Sequence, residues 1–335
     1  MDDRLKALEA WLRSTLAGAP FRVEPASADA SFRRYFRAFL EEGRSLIAMD
    51  APPERENSEP FVRIARMFRD AGLNAPEVLA QDLAQGFLLL GDLGNRSYLQ
   101  ALRAENFGAL FGDATTALVK CQAATKPGTL PPYDEALLRR ELMLFPEWYV
   151  GRHLGVQLDH KQREALETTF KRIVSINLAE GRVNVHRDYM PRNLMVCEPN
   201  PGILDFQDAV IGPISYDVAS LFRDAFISWD EEHILDGTIR YWEKARAAGL
   251  PVPADFGEFW RDVEWMGLQR HLKVLGIFAR LHYRDGKKGY LEDTPRFIGY
   301  IRATASRYRE LAPLLKLIDG VEGTQAVSGY AFGRL

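Results

Sequence analysis

The chain is poor in the residues that staple or metallate a small fold. It has two cysteines, Cys121 and Cys197, in 335 residues. Two thiols that far apart exclude a disulfide framework and a cysteine-based zinc site. Basic charge is not in excess either: 43 basic side chains face 46 acidic ones, a formal net charge of -3. Nothing in that balance favours a nucleic acid or an anionic membrane as partner. Long apolar runs are missing too. No stretch approaches the ~18 residues needed to cross a bilayer. The N-terminus, MDDRLKALEAWLRSTLAGAP, lacks the basic-then-apolar order of a signal peptide. These absences predict a soluble cytoplasmic protein.

What is present is an ordinary globular composition, 47% hydrophobic and 27% charged, long enough for one large or two moderate domains. Leu5, Leu8, Leu12 and Leu16 recur at helical spacing, so the chain opens on an amphipathic helix. FRVEPAS, RRYFRAFL and RSLIAMD then read as strands of an antiparallel meander. ENSEPFVRIARMFRDAG reads as a helix, with Pro60 near its start, an apolar stripe at Phe61, Ile64, Ala65 and Phe68, and Gly72 after the last turn. PEVLAQD and GFLLLGD complete a set of five strands. Beyond GDLGNRS helical periodicity takes over, at 98–121, 133–149 and 160–180, and again from Tyr216 through a long stretch at 256–283. The expected class is α+β: a small β-rich lobe over 1–92 and a mainly helical lobe over 93–335. The glycines at 320, 323, 329 and 333 suggest a loosely packed tail.

A short strand-like block interrupts the helices and carries the chemistry. HRDYMPRN occupies 186–193, GILDFQDA 202–209 and YDVASLF 216–222. Asp188, on a loop after a strand, is placed to accept a proton from a substrate hydroxyl. Asn193 and Asp205 offer an amide oxygen and a carboxylate, hard ligands suited to Mg²⁺ beside nucleotide phosphates. Together they describe a phosphoryl-transfer site.

The order matches the pattern H-R-D-L-x-x-x-N followed by D-F-G, with Tyr189 in place of the leucine and Gln207 in place of the glycine. On these motifs the chain resembles the protein-kinase-like superfamily, and within it the aminoglycoside phosphotransferase and choline kinase branch. The resemblance implies a bilobal fold, with a five-stranded antiparallel sheet plus helix in the N-lobe. It implies ATP and Mg²⁺ as cofactors, Asp188 as the catalytic base, and Asn193 and Asp205 as metal ligands. Asp217 would hold the catalytic-loop backbone, with His186 a structural member of the loop. GFLLLGDLG resembles the adenine hinge, which would use the backbone of Leu90, Gly91, Asp92 and Leu93. The blocks ASFRRYFR, RELMLFPEWYV, ILDFQDAVIGPISYDVASLFRDA and QRHLKVLGIFARL extend the likeness over most of the chain. They are similar to a bacterial subgroup of anomeric kinases for N-acetylmuramate and N-acetylglucosamine, which serve peptidoglycan recycling.

Two features depart from the kinase pattern. The first interstrand loop, ASADASF, has no glycine, and Met49 stands where the third-strand lysine is expected. Ser27, Ser31 and nearby N–H groups are the alternative phosphate ligands. Arg33, Arg34 or Arg37 would supply the missing charge, and alternation puts Arg34 on the opposite face from the other two. The same departure keeps open a nucleotide-binding protein without catalysis. For the acceptor, Glu141, Trp148, Tyr149, Arg270 and Lys273 are the candidates: aromatic faces for a sugar ring and charges for its polar groups. The basic character of 264–291 fits a lactyl carboxylate better than a polycationic aminoglycoside, which remains the alternative acceptor.

Overall fold

A computed structural model describes residues 2–28 and 32–323. Ser31, Gly329 and Gly333 lie outside the described residues. The chain divides into two compact units, one formed by 1–103 with 192–208, the other by 104–191 with 209–335.

The first unit begins with α1 (Asp3–Thr15), whose orphan N-terminal N–H groups at Arg4 and Leu5 are capped by the Asp2 carboxylate. Five strands follow: β1 (Phe21–Ala28), β2 (Arg34–Leu40), β3 (Ser45–Asp50), then, after α2 (Glu59–Asp70), β4 (Val78–Asp82) and β5 (Phe87–Gly91). They form one antiparallel sheet in the order β1-β2-β3-β5-β4. Side chains alternate across it. Phe36, Ala48, Phe87 and Leu89 pack with Leu8 and Leu12 of α1 in one core cluster. Met49, paired in register with Tyr35 and Leu88, belongs to the other face and is fully buried.

The helical stretch expected over 98–121 is broken. A four-residue α3 (Tyr98–Ala101), closed by a capping box between Ser97 and Gln100, stops at Leu102, and α4 (Phe107–Ala123) restarts in the second unit. There α5 (Glu135–Leu144) leads into a π-helix over Phe145–His153, then α6 (His160–Ala179) and β6 (Arg182–Val185). Residues 192–208 return to the first unit as a two-stranded hairpin, β7 (Leu194–Met195) and β8 (Gly202–Ile203). This segment is stitched in by Ile203 N–H to Asn74 O at 2.8 Å and Val196 N–H to Arg96 O at 2.9 Å. Phe206 adds ring contacts to Phe61 and Phe68 of α2 at 4.9 and 5.5 Å.

The second unit resumes with β9 (Val210–Pro213), antiparallel to β6, then α7 (Tyr216–Phe222), α8 (Glu231–Ala247), the 28-residue α9 (Phe256–Tyr283), α10 (Thr294–Arg307) and α11 (Ala312–Glu322). Helix α9 is buried on every side from Val263 to Gly276. At Gly276 it comes so close to the backbone of Leu144 that a Cβ would lie 2.3 Å from the Leu144 carbonyl carbon. The expected loose tail is in part a helix: Gly320 lies within α11, and Gly323, at φ 79°, follows its last turn, a conformation that favours glycine. Among the described residues no helix is long and apolar enough to cross a membrane.

Candidate active site

In the second unit β6 delivers the loop 186–191. Arg187 sits at φ 77°, a left-handed conformation that costs energy for a side chain with a Cβ. The Asp217 carboxylate, fully buried in the first turn of α7, accepts the N–H groups of His186 at 2.6 Å and Arg187 at 3.0 Å. Burial pushes the Asp217 pKa up to about 7, against those two hydrogen bonds. His186 Nδ1 accepts the Asp188 N–H at 3.2 Å, and the Tyr189 hydroxyl donates to Ala114 O at 2.8 Å. Asp188 is half-buried. His186 and Asp217 thus bind the loop that carries Asp188.

Arg187 is held from its other end. Its guanidinium donates to Glu141 Oε1 at 2.6 Å, and Lys273 Nζ lies 2.9 Å from the same oxygen. Gln269 Nε2 donates to Glu141 Oε2 at 3.1 Å, and the Tyr133 hydroxyl donates to it as well. Lys273 also donates to the Tyr216 hydroxyl at 3.0 Å. Burial acts to raise the Glu141 pKa, but Lys273 and Arg187 outweigh it and bring it down to about 2. Glu141 and Lys273, expected on the substrate, face each other and, through Arg187, the loop that carries Asp188. Tyr133, Gln269 and Tyr216 were not singled out from sequence. Gln269 and Lys273 are four apart on α9, so they share a helix face, and that spacing was the available signal.

The remaining acceptor candidates separate. Arg270 is buried, and its Nη2 lies 3.9 Å from Met190 Sδ in the catalytic loop. Trp148 instead lines a cavity of about 410 Å³ with Glu147, Arg152, Tyr283 and Arg284. Tyr283 is ten residues beyond Lys273 on α9, roughly 15 Å along the helix axis. Tyr149 is buried and donates to Glu322 at 2.6 Å.

In the first unit Asn193 and Asp205 come together, with Asn193 Nδ2 3.3 Å from Asp205 Oδ2 and Leu204 N–H on Asn193 O at 2.9 Å. Asp205 is left-handed at φ 63°. Gln207 Nε2 donates to Asp205 Oδ1 at 2.9 Å, while Gln207 Oε1 is buried with no hydrogen-bond partner among the described residues. Among the described residues there is no group of three or more His, Cys, Asp or Glu side chains able to hold a metal. One carboxylate with an amide oxygen beside it fits Mg²⁺, which takes few protein ligands and completes its shell with phosphate and water.

Of the nucleotide candidates, Arg37 and Asp92 pair with each other, and Arg33 and Arg34 pair with other acids. Arg34 pairs with buried Asp50, which also receives Arg4, and with Asp2, on the α1 face of the sheet. Arg37, on the opposite face, donates to Asp92 at 2.6 and 3.1 Å and to Gly94 O at 2.8 Å. Arg33 lies 3.2 Å from Glu56. Asp92 further accepts Ser45 Oγ at 2.7 Å; burial raises its pKa, but Arg37 and Ser45 hold it below the usual carboxylate value. Leu90 and Gly91 close β5, Gly91 N–H donating to Glu77 O at 2.9 Å, and Leu93 follows Asp92. Ser27 is in β1 opposite Tyr35.

A loop aspartate with a buried helix aspartate holding its loop, and an Asn–Asp pair later in the chain, follow the order of the protein-kinase-like motifs. Residues 22–256 match the phosphotransferase enzyme family, and the chain belongs to that family. It is 49% identical over 336 residues to an N-acetylmuramate/N-acetylglucosamine kinase of Pseudomonas aeruginosa, covering 97% of this chain and 99% of that one. A Neisseria meningitidis protein of the same name is 48% identical, over 97% and 98%. The fold is similar to that of the ADP-bound aminoglycoside phosphotransferase APH(2'')-Ib, with a TM-score of 0.58, 15% identity, and 95% and 99% of the two chains covered.

Proposed function

We propose that the chain is an ATP- and Mg²⁺-dependent cytoplasmic kinase that phosphorylates the C1 hydroxyl of N-acetylmuramate or N-acetylglucosamine. The observation that carries this reading is the near-half identity, over almost the whole chain, with relatives that bear that name. Asp188 accepts the proton of the C1 hydroxyl as its oxygen bonds to the γ-phosphorus. The bond from that phosphorus to the β-phosphate oxygen breaks, and ADP leaves. An anomeric hydroxyl is more acidic than an ordinary alcohol, which suits a weak carboxylate base. Asn193 and Asp205 would hold the metal, which supplies charge neutralisation at the phosphates. His186 and Asp217 keep the Asp188 loop in place, and the Glu141–Arg187–Lys273 network holds that loop from its other side.

Phosphorus NMR of the protein with Mg²⁺, ATP and each sugar tests the reading, with Asp188→Asn as control. A sugar 1-phosphate signal absent with the variant is expected. Phosphate on another hydroxyl, or turnover with an aminoglycoside alone, overturns it.

A further inference from the structure

Two opposite charges lie buried in the second unit, and among the described residues they do not pair with each other. Asp224 follows α7 and is 1% exposed; its Oδ1 accepts the N–H of Ala225 at 2.6 Å, the Phe226 N–H also bonds to its carboxyl, and its Oδ2 is buried with no hydrogen-bond partner among the described residues. Arg270 of α9 is 2% exposed; its Nη2 is on Met190, two residues from Asp188, and its Nη1 is likewise buried without a partner. The two sense each other: burial drives the Asp224 pKa up to about 6, and Arg270 opposes that rise. Yet they form no ion pair. Buried polar atoms in native proteins are nearly always satisfied.

The open valences are complementary. Asp224 Oδ2 lacks a donor, and Arg270 Nη1 lacks an acceptor. A secondary amide offers both, an N–H and a C=O on opposite edges of one plane, whereas a hydroxyl offers them at a single atom. The 2-acetamido group is the amide that N-acetylmuramate and N-acetylglucosamine have in common. The segment 223–230 that carries Asp224 joins α7 to α8 without regular structure. It is tied down by Arg296 Nη1, which donates to Ser228 Oγ at 2.9 Å, and by the Ser228–Tyr300 hydroxyl pair at 2.7 Å. Its ends are anchored, by Arg223 on Glu264 and Thr304 and by Trp229 against Phe107, so any opening is confined to the irregular stretch between them.

We propose that Asp224 and Arg270 read the 2-acetamido group of the acceptor, Asp224 taking its N–H and Arg270 donating to its carbonyl, an inference that rests on the sugar-kinase reading above. The pair explains acceptance of both amino sugars, because the lactyl group that distinguishes them plays no part in it.

The test compares N-acetylglucosamine with glucose, which carries a hydroxyl at C2, glucose being measured as substrate or as competitive inhibitor. Asp224→Asn keeps an oxygen for Ala225 N–H and turns a donor toward the amide N–H. Arg270→Lys keeps the charge near Asp217 but loses the fork. Each variant is expected to lower kcat/KM for N-acetylglucosamine at least tenfold, to affect glucose far less, and to leave the KM for ATP within about twofold. Equal losses with both sugars, at an unchanged melting temperature, overturn the proposal. A wild-type protein that phosphorylates neither amino sugar removes the sugar-kinase reading and this inference with it. Transfer to N-acetylglucosamine with an unchanged sugar ratio in both variants removes the inference alone.

Discussion

The carboxylate of Asp217 accepts the backbone N–H groups of both His186 and Arg187, at 2.6 and 3.0 Å. One side chain on α7 thereby fixes two consecutive peptides of the loop that bears Asp188, including the left-handed residue.

Replacing Asp217 by alanine leaves those two N–H groups without their acceptor. Each such loss costs about 1–3 kcal/mol, and the displaced loop lowers kcat by about 10²-fold. Thermal melting and single-turnover transfer check the two effects separately. A variant that melts lower but transfers phosphate at the wild-type rate would contradict the positioning role.

The same residue gives stability a pH dependence of definite sign. Its pKa is raised by burial from 3.8 to about 7. Between those values the folded chain holds a proton that the unfolded chain releases. Its contribution is therefore fully present below about pH 4 and declines as pH rises to about 7. Glu141, held near 2 against 4.5, works the other way, its contribution being lost only as pH falls through 2. The melting-temperature deficit of Asp217→Asn should thus shrink from about pH 5 to about pH 8. A deficit that grows over that window counts against the buried acid.

Glu141 is the anion shared by Arg187 and Lys273. Glu141→Gln removes the anion shared by buried Lys273 and half-buried Arg187 and should destabilise the fold by about 3–5 kcal/mol. Lys273→Met alone leaves Glu141 with Arg187. The double variant is expected to lose less than the sum of the singles, since contacting residues are not additive. Urea denaturation of the four proteins measures the coupling, and strict additivity would mean that the network is not one unit.

Asp205→Asn is expected to raise the Mg²⁺ concentration for half-maximal activity by at least about tenfold, while Asp188→Asn leaves Mg²⁺–ATP binding intact and removes transfer. Calorimetric titration with Mg²⁺–ATP separates the two. Equal loss of nucleotide binding in both variants would defeat the division of roles between the two aspartates.

Much of this was legible before any coordinates. Alternation over 21–50 and 78–91 marks strands because one face must meet α1, and the helix over 59–70 carries its stripe and its Pro60 openly. Asp188, Asn193, Asp205 and Asp217 stand out because their spacing is rare. What stayed hidden depends on long-range pairing. That Arg34 is committed to Asp50 while Arg37 is committed to Asp92 follows from which sheet face α1 covers, and single-strand alternation cannot say that. Glu141 is expected at the acceptor from RRELMLF, but its pairing with Lys273, 132 positions later, is not marked there. The π-helix at 145–153 has no local marker beyond Pro146. Nothing local in the sequence marks Asp224; what sets it apart is its burial.

The first unit is built from two pieces of chain, and that sets an order of events during synthesis. The sheet and α1 are complete once Gly91 has been made. Phe206, which meets Phe61 and Phe68 of α2, emerges more than a hundred residues later. At bacterial elongation speeds of about 5–20 residues per second, that wait lasts roughly 5–20 s. Throughout it α2 keeps an apolar face without its final partner. The nascent chain therefore finishes the lobe that carries Asn193 and Asp205 only after the loop bearing Asp188 has left the ribosome, and a stall in that interval exposes a sticky half-built domain rather than a small stable one.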